Sequence, residues 1–160
     1  VHVIVGIGVD LVDIPRFERT ISRTPRLLER LFSPNERLLK AHSLAARYAA
    51  KEALIKALGG SDGVHWTEIE VASEASGRPL FSLTGSTAAV VAARGITALH
   101  LSMSHDAGLA TAYVVAESAS EHPVSPNQGM HAETERDGTG LGEDPLSRHS
   151  SAAPTPEEPA

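Results

Sequence analysis

The chain has 160 residues, with 14 basic and 20 acidic side chains, a net charge of −6 and no cysteine. Disulfides, thiolate metal sites and cysteine nucleophiles are thereby excluded. The acidity is local: through Ser118 the charges balance at 12 and 12, and the whole excess falls in Ala119 to Ala160.

The length suits one domain, or one domain plus a tail. No apolar run is long enough to cross a bilayer and no charged-then-apolar leader is visible, so a cytoplasmic protein is expected, with no membrane partner. Val1 to Leu58 carries 10 basic against 6 acidic residues. That bias suits an acidic or phosphate-bearing partner. It is too weak for nucleic acid, and the few aromatics show no stacking pattern.

Val3 to Val12 is β-branched, with glycines where another backbone can approach, and predicts a buried strand. Asp10 interrupts that apolar run, so it must be paired, hydrogen-bonded or on a metal. Asp13, just before Pro15, is the better helix cap. Pro15 opens a helix to about Arg23, and Pro25 opens another to about Leu31. Phe17, Ile21, Leu27, Leu28 and Leu31 give the inward face. Arg16, Arg19, Arg23, Arg26 and Arg30 give a cationic outward face suited to carboxylates or phosphates.

Ser33-Pro34-Asn35-Glu36 predicts a helix start, with a capping box between Ser33 and Glu36. A short helix to about His42 is expected, after which Ser43 caps a long helix. That helix runs through Arg47, Tyr48 and Lys51 to Leu58 and stops at Gly59-Gly60. Tyr48, Glu52 and Lys56 recur every four residues and share a face, with Arg47 and Lys51 on the neighbouring one. A carboxylate among cations there suits a site holding a metal and phosphates. The plain alternative is a surface Glu52–Lys56 pair worth about 0.3–0.5 kcal/mol.

Gly59 to Gly63 is a loop whose backbone can approach a phosphate, without the Walker ending. Trp66 to Ala72 and Leu80 to Leu83 predict a hairpin across the turn Ser76 to Pro79. Thr84 or Ser86 caps a helix ending near Arg94. Ala98 to His105 and Leu109 to Ala116 predict a second hairpin, with His105 at its turn and His100 sharing a face with Ser102 and Ser104. Ala119 to Ala160 has too few large apolar residues to offset ordering entropy and is expected to be disordered.

Three features stand in order: Gly8-Val9-Asp10, Lys51-Glu52-Ala53 with Lys56, and Ser102-Met103-Ser104-His105. With Ile14 to Phe17, Leu31 to Glu36 and Gly77-Arg78-Pro79 between them, the chain resembles the holo-acyl-carrier-protein synthases of the 4′-phosphopantetheinyl transferase superfamily. The resemblance covers Val3 to about Glu117. Ser61-Asp62 interrupt the glycines where the family usually reads Gly-Thr-Gly.

The resemblance implies transfer of 4′-phosphopantetheine from coenzyme A to a serine of an acyl carrier protein, releasing adenosine 3′,5′-bisphosphate, within fatty acid biosynthesis. It implies Asp10 and Glu52 as magnesium ligands and Lys56 on the diphosphate. Arg47, the loop from Gly59 and Gly60 to Gly63, and His105 would hold the phosphates of coenzyme A. Arg16, with Arg19, Arg23 and Arg26, would receive the acidic carrier protein. Glu52 and a water held by the metal both remain open as base. Magnesium suits the residues themselves: two carboxylates without cysteine favour a hard, oxygen-seeking ion.

The fold expected is α+β, an antiparallel sheet of hairpins wrapped by helices over residues 1–118, with residues 119–160 as a tail. The resemblance also implies a homotrimer with sites between subunits. Two alternatives remain: a magnesium-dependent pyrophosphohydrolase, which has no use for the arginine stripe, and a non-catalytic carrier-protein-binding module, which has no use for Asp10 or Glu52.

Overall fold

The computed structural model describes residues 1–119; the tail expected at 119–160 lies, apart from Ala119, outside the described residues. The chain opens with strand β1 (His2–Asp13), which leads directly into helix α1 (Ile14–Arg23). Asp13 caps α1, its Oδ1 accepting from the Arg16 amide at 2.8 Å, with Pro15 in the first turn. Helix α2 (Arg26–Leu31) follows. Phe17, Leu27 and Leu31 are buried, and Ile21 and Leu28 pack against them, so the apolar spacing marked the inward face correctly.

The next stretch differs from expectation. In place of a short helix to His42 there is one 3-10 turn, Glu36–Leu38, and helix α3 (Ala41–Ala57) begins two residues before Ser43. The capping box does form: the Ser33 amide donates to Glu36 Oε2 at 2.9 Å, and the Glu36 amide to Ser33 Oγ at 3.3 Å. Glu36 has further partners, however. Its Oε2 also accepts from Lys51 Nζ at 2.7 Å and its Oε1 from the Val71 amide at 3.0 Å. A side chain tied to α3 and to a distant strand holds a turn rather than starting a free helix.

Strand β2 (Ile69–Ser73) pairs with β3 (Pro79–Leu83) as the expected hairpin. Trp66–Glu68, read from its alternation as strand, is a 3-10 turn. The reason lies with Glu68, whose carboxylate turns towards helix α4 (Gly85–Ala93) and accepts from the Thr87 amide, the Thr87 hydroxyl and the Ser86 hydroxyl at 2.8 to 3.0 Å. Neither Thr84 nor Ser86 caps this helix from within; Glu68 does it from outside. The Thr87 bonds, backbone first, hold the Glu68 carboxyl down to about 2. Its contribution to stability is therefore complete above the ordinary value of 4.5 and disappears as pH falls towards 2. The difference in Tm between the unaltered protein and Glu68→Gln is expected to shrink across that window; a constant difference would contradict the cap.

The last hairpin is β4 (Ile96–Asp106) and β5 (Leu109–Ala119), so His105 lies in the strand just before the turn. β5 is central in an antiparallel sheet ordered β1-β5-β4. Gly8, Asp10 and Val12 stand opposite Val114, Ala112 and Ala110, all on the face towards α3.

α3 is apolar around nearly its whole circumference because it is wrapped: sheet on one side, α1, α2 and the β2–β3 hairpin on the other. It lies almost on the backbone of β1. A methyl group at Gly6 would overlap the Ala57 carbonyl, and one at Gly8 would overlap the Ala53 carbonyl. These are helix backbone atoms, which cannot swing aside. Gly8→Ala is expected to cost at least about 1–3 kcal/mol, as overpacking does, and to lower activity as well. Thermal unfolding checks the first part, and an unchanged Tm would contradict the close contact.

Candidate active site

The closeness of β1 and α3 determines what the site contains. Asp10 follows Gly8 by two positions on the same strand face. Glu52 and Lys56 lie one turn apart on α3, beside the carbonyl that Gly8 accommodates. These side chains line one cleft of about 240 Å³ with Asp13, Arg16, Phe17 and Tyr48. Lys56 Nζ bonds Asp10 Oδ1 at 2.8 Å and the Val9 carbonyl at 3.1 Å. Asp10 is 16% exposed and Lys56 51%, so the pair is open on the lysine side to an incoming ligand. Thr111 Oγ donates to the Asp10 carbonyl at 2.8 Å and fixes the strand at that residue.

Glu52 faces the same space. Its Oε1 accepts from the Tyr48 hydroxyl at 3.4 Å. Three carboxylates (Asp10, Asp13 and Glu52), an ammonium and a guanidinium in one cleft form a place for a cation bridged to a polyanion. Among the described residues no group of three His, Cys, Asp or Glu side chains could hold a metal, which disfavours an all-protein cage.

The remaining residues singled out from the sequence lie elsewhere on the chain. Arg47 donates from Nε to the Val71 carbonyl and from Nη1 to the Ser43 carbonyl, both at 3.3 Å, on the side of α3 facing the β2–β3 hairpin. Gly59 and Gly60 end α3 just beyond Lys56, their amides bonded to the carbonyls of Lys56 and Ile55. His105 is at the other end, its ring 6.3 Å from that of His42 in the first turn of α3. Arg19, Arg23 and Arg26 are exposed along α1 and α2, continuing outward from Arg16.

Lys51 needs a correction. Grouped from the sequence with the cations of a phosphate site, it is wholly buried on the opposite side, bonded to Glu36, the Leu31 carbonyl and the Trp66 carbonyl at 2.7 to 3.1 Å. Burial pushes its ammonium down, and the Glu36 carboxylate pulls it back up.

Comparison with known proteins gives this arrangement a lineage. Residues 6–114 match the family model described as the 4′-phosphopantetheinyl transferase superfamily. The chain belongs to that superfamily. It is 62% identical over 112 residues to the holo-[acyl-carrier-protein] synthase of Clavibacter sepedonicus, covering 70% of this chain and 94% of that one. It is 57% identical over 114 residues to the synthase of Leifsonia xyli subsp. xyli, with 71% and 97% covered. The crystal structure of the Neisseria meningitidis synthase superposes with a TM-score of 0.69 at 32% identity, covering 72% of this chain and all of that one. The coenzyme A complex of the Chronobacterium ammoniagenes protein superposes with a TM-score of 0.63 at 38% identity, covering 71% and 96%.

The superfamily match spans both faces of the cleft, from Gly6 on β1 to Val114 on β5. The cleft also contains groups that the sequence did not mark as functional. Tyr48 was placed on the face of Glu52 and Lys56 by its spacing, but nothing in a helical repeat shows that its hydroxyl points to the carboxylate. Phe17 appeared only as core. It forms the floor of the cleft as well.

Proposed function

We propose that the chain is a holo-[acyl-carrier-protein] synthase and that Asp10, Glu52 and Lys56 carry its chemistry. The serine oxygen of an apo acyl carrier protein attacks the phosphorus bearing the pantetheine of coenzyme A. The bridging bond to the nucleotide phosphate breaks, and the electron pair leaves on adenosine 3′,5′-bisphosphate. The observation that supports these residues is their meeting in one cleft from segments far apart in sequence.

Asp10 and Glu52 would hold magnesium. Both are hard oxygen donors, and two carboxylates suffice when phosphates and waters complete the shell. When bound, magnesium would neutralise diphosphate charge and polarise the phosphorus under attack. Phosphoryl transfer otherwise needs positioning and charge more than covalent work by the protein. Lys56, half exposed, reaches the diphosphate and stabilises charge on the departing oxygens. Glu52, or a water held by the metal, would take the serine proton.

Arg47, the loop at Gly59 and Gly60, and His105 are proposed to hold the phosphates of coenzyme A. His42, next to His105, precedes Lys56 by 14 positions on α3, which is about 21 Å along a helix. His105 is thus far from Lys56, and a role for it in the cleft of a second copy is part of the proposal. The outer face of the sheet supports the same reading, since Ile7, Val9, Leu11 and Tyr113 leave it apolar and exposed. A homotrimer with composite sites follows as the proposed assembly, with residues 1–118 as the transferase unit. No helix among the described residues is long and apolar enough to cross a membrane.

Incubation with coenzyme A, magnesium and an apo carrier protein tests the reaction. Mass spectrometry should find the phosphopantetheine arm on the carrier. Hydrolysis of coenzyme A without a carrier would favour a pyrophosphohydrolase instead. The exposed arginines of α1 and α2 are the proposed docking surface. Arg19→Glu, on the same exposed stripe but outside the cleft, is expected to raise KM for the carrier about tenfold or more and to leave the KM for coenzyme A nearly unchanged. Equal loss of both would refute the docking assignment.

A further inference from the structure

The outer face of α1 and α2 holds more positive charge than it neutralises. Residues 16–30 contain five arginines against Glu18 and Glu29, a net charge of +3. Arg19, Arg23, Arg26 and Arg30 are exposed, and among the described residues none of the four forms an ion pair. The opposite charge lies further along the same chain. Residues 133–144 contain Glu133, Glu135, Asp137, Glu143 and Asp144 against Arg136 alone, a net charge of −4. We infer that residues 133–144 dock on the arginine face of their own chain and compete there with the acidic carrier protein. The competition rests on the carrier docking proposed above; the contact itself does not.

Reach permits the contact. Ala119 stands opposite His2, at the far end of β1 from Asp13, the cap of α1. The 12 residues of β1 put at most about 36 Å between Ala119 and that cap. The 10 residues of α1 add about 15 Å. A chain extends by about 3.3–3.6 Å per residue, so Glu133 reaches about 46–50 Å from Ala119, and Asp144 reaches well beyond. The acidic residues therefore begin where the arginines come within range. The relatives give the stretch a distinct origin. The 112 residues aligned with the Clavibacter sepedonicus synthase make up 94% of that protein, and the 114 aligned with the Leifsonia xyli synthase make up 97% of that one. Neither leaves room for a counterpart of residues 120–160, so here the acidic stretch is joined to a unit that those synthases have without it. Linkage replaces dilution, so weak contacts are enough for it to compete. Exposed arginine–carboxylate pairs are individually weak and screened by salt, which keeps the contact reversible.

The chain has no cysteine, so Thr139→Cys gives a single attachment point for a nitroxide between the two acidic clusters. In the full chain, labelled with ¹⁵N and kept at low ionic strength, the amide resonances of Arg19, Arg23 and Arg26 should broaden and recover when the nitroxide is reduced. The broadening should survive dilution of about tenfold into chain that has neither spin label nor isotope. Equal intensities before and after reduction overturn the inference. Broadening lost on dilution assigns the face to the tail of a second copy and overturns it as well. Activity gives a separate reading. If the tail covers the face about four-fifths of the time, KM for the carrier is raised about fivefold. The full chain with Glu133→Gln, Glu135→Gln, Asp137→Asn, Glu143→Gln and Asp144→Asn is therefore expected to show a KM for apo carrier protein about fivefold lower, with kcat and the KM for coenzyme A unchanged. The ratio should approach one at high salt. Broadening with an unchanged carrier KM overturns the competition and the carrier docking on which it rests, a different result from absent broadening.

Discussion

Asp10→Ala is expected to reduce transfer to carrier protein by at least about a thousandfold while leaving the fold in place. Loss of a catalytic metal removes several kcal/mol of transition-state stabilisation, and each 1.36 kcal/mol is about a factor of ten. The stability cost should be small by comparison. The Asp10–Lys56 pair is 2.8 Å long, but its lysine is 51% exposed, so solvent screens most of its value and about 1 kcal/mol or less is at stake. Without the carboxylate, Lys56 keeps the Val9 carbonyl and water. The observable is therefore a split: turnover collapses and Tm barely moves. A variant that transfers at the unaltered rate would remove Asp10 from the chemistry.

Lys51→Met is expected to show the opposite split. Lys51 and Glu36 are 0% and 2% exposed, and each is the other's charge partner. Breaking a buried pair from one side leaves an uncompensated charge and costs about 3–5 kcal/mol. Here it also removes the donor to the Leu31 and Trp66 carbonyls, which join α2 and the turn before β2 to α3. A fall in Tm of more than about 10 °C is expected. Any active fraction at low temperature should keep its KM for coenzyme A, because Lys51 does not line the cleft. A Tm unchanged in Lys51→Met would contradict the burial of the pair.

These two residues show how far the sequence could be read. Asp10 was legible because a carboxylate in a β-branched run is costly unless something binds it, and the glycines before it announced a close approach that Gly6 and Gly8 do make with α3. The hairpins were legible from alternation and turn residues. Lys51 was not. On a helix it is one position from Glu52, and a cation beside a carboxylate reads the same whether it faces phosphate or the core. Only the position of Glu36, fifteen residues earlier, distinguishes the two. Glu36 was half legible: the capping box is local and was found, while the bonds to Lys51 and Val71 are long-range and left no pattern. Trp66–Glu68 failed for a related reason, because its alternation was outweighed by the pull of a helix end on Glu68. Local chemistry was readable at each of these places, and pairing across the fold was not.

The most direct test of the account is an anomalous difference map at the manganese edge, from crystals grown with Mn²⁺ and coenzyme A. One peak is expected, bonded to an oxygen of Asp10, an oxygen of Glu52 and the diphosphate. A peak that touches only one of the two carboxylates, or that lies outside the cleft, would contradict it.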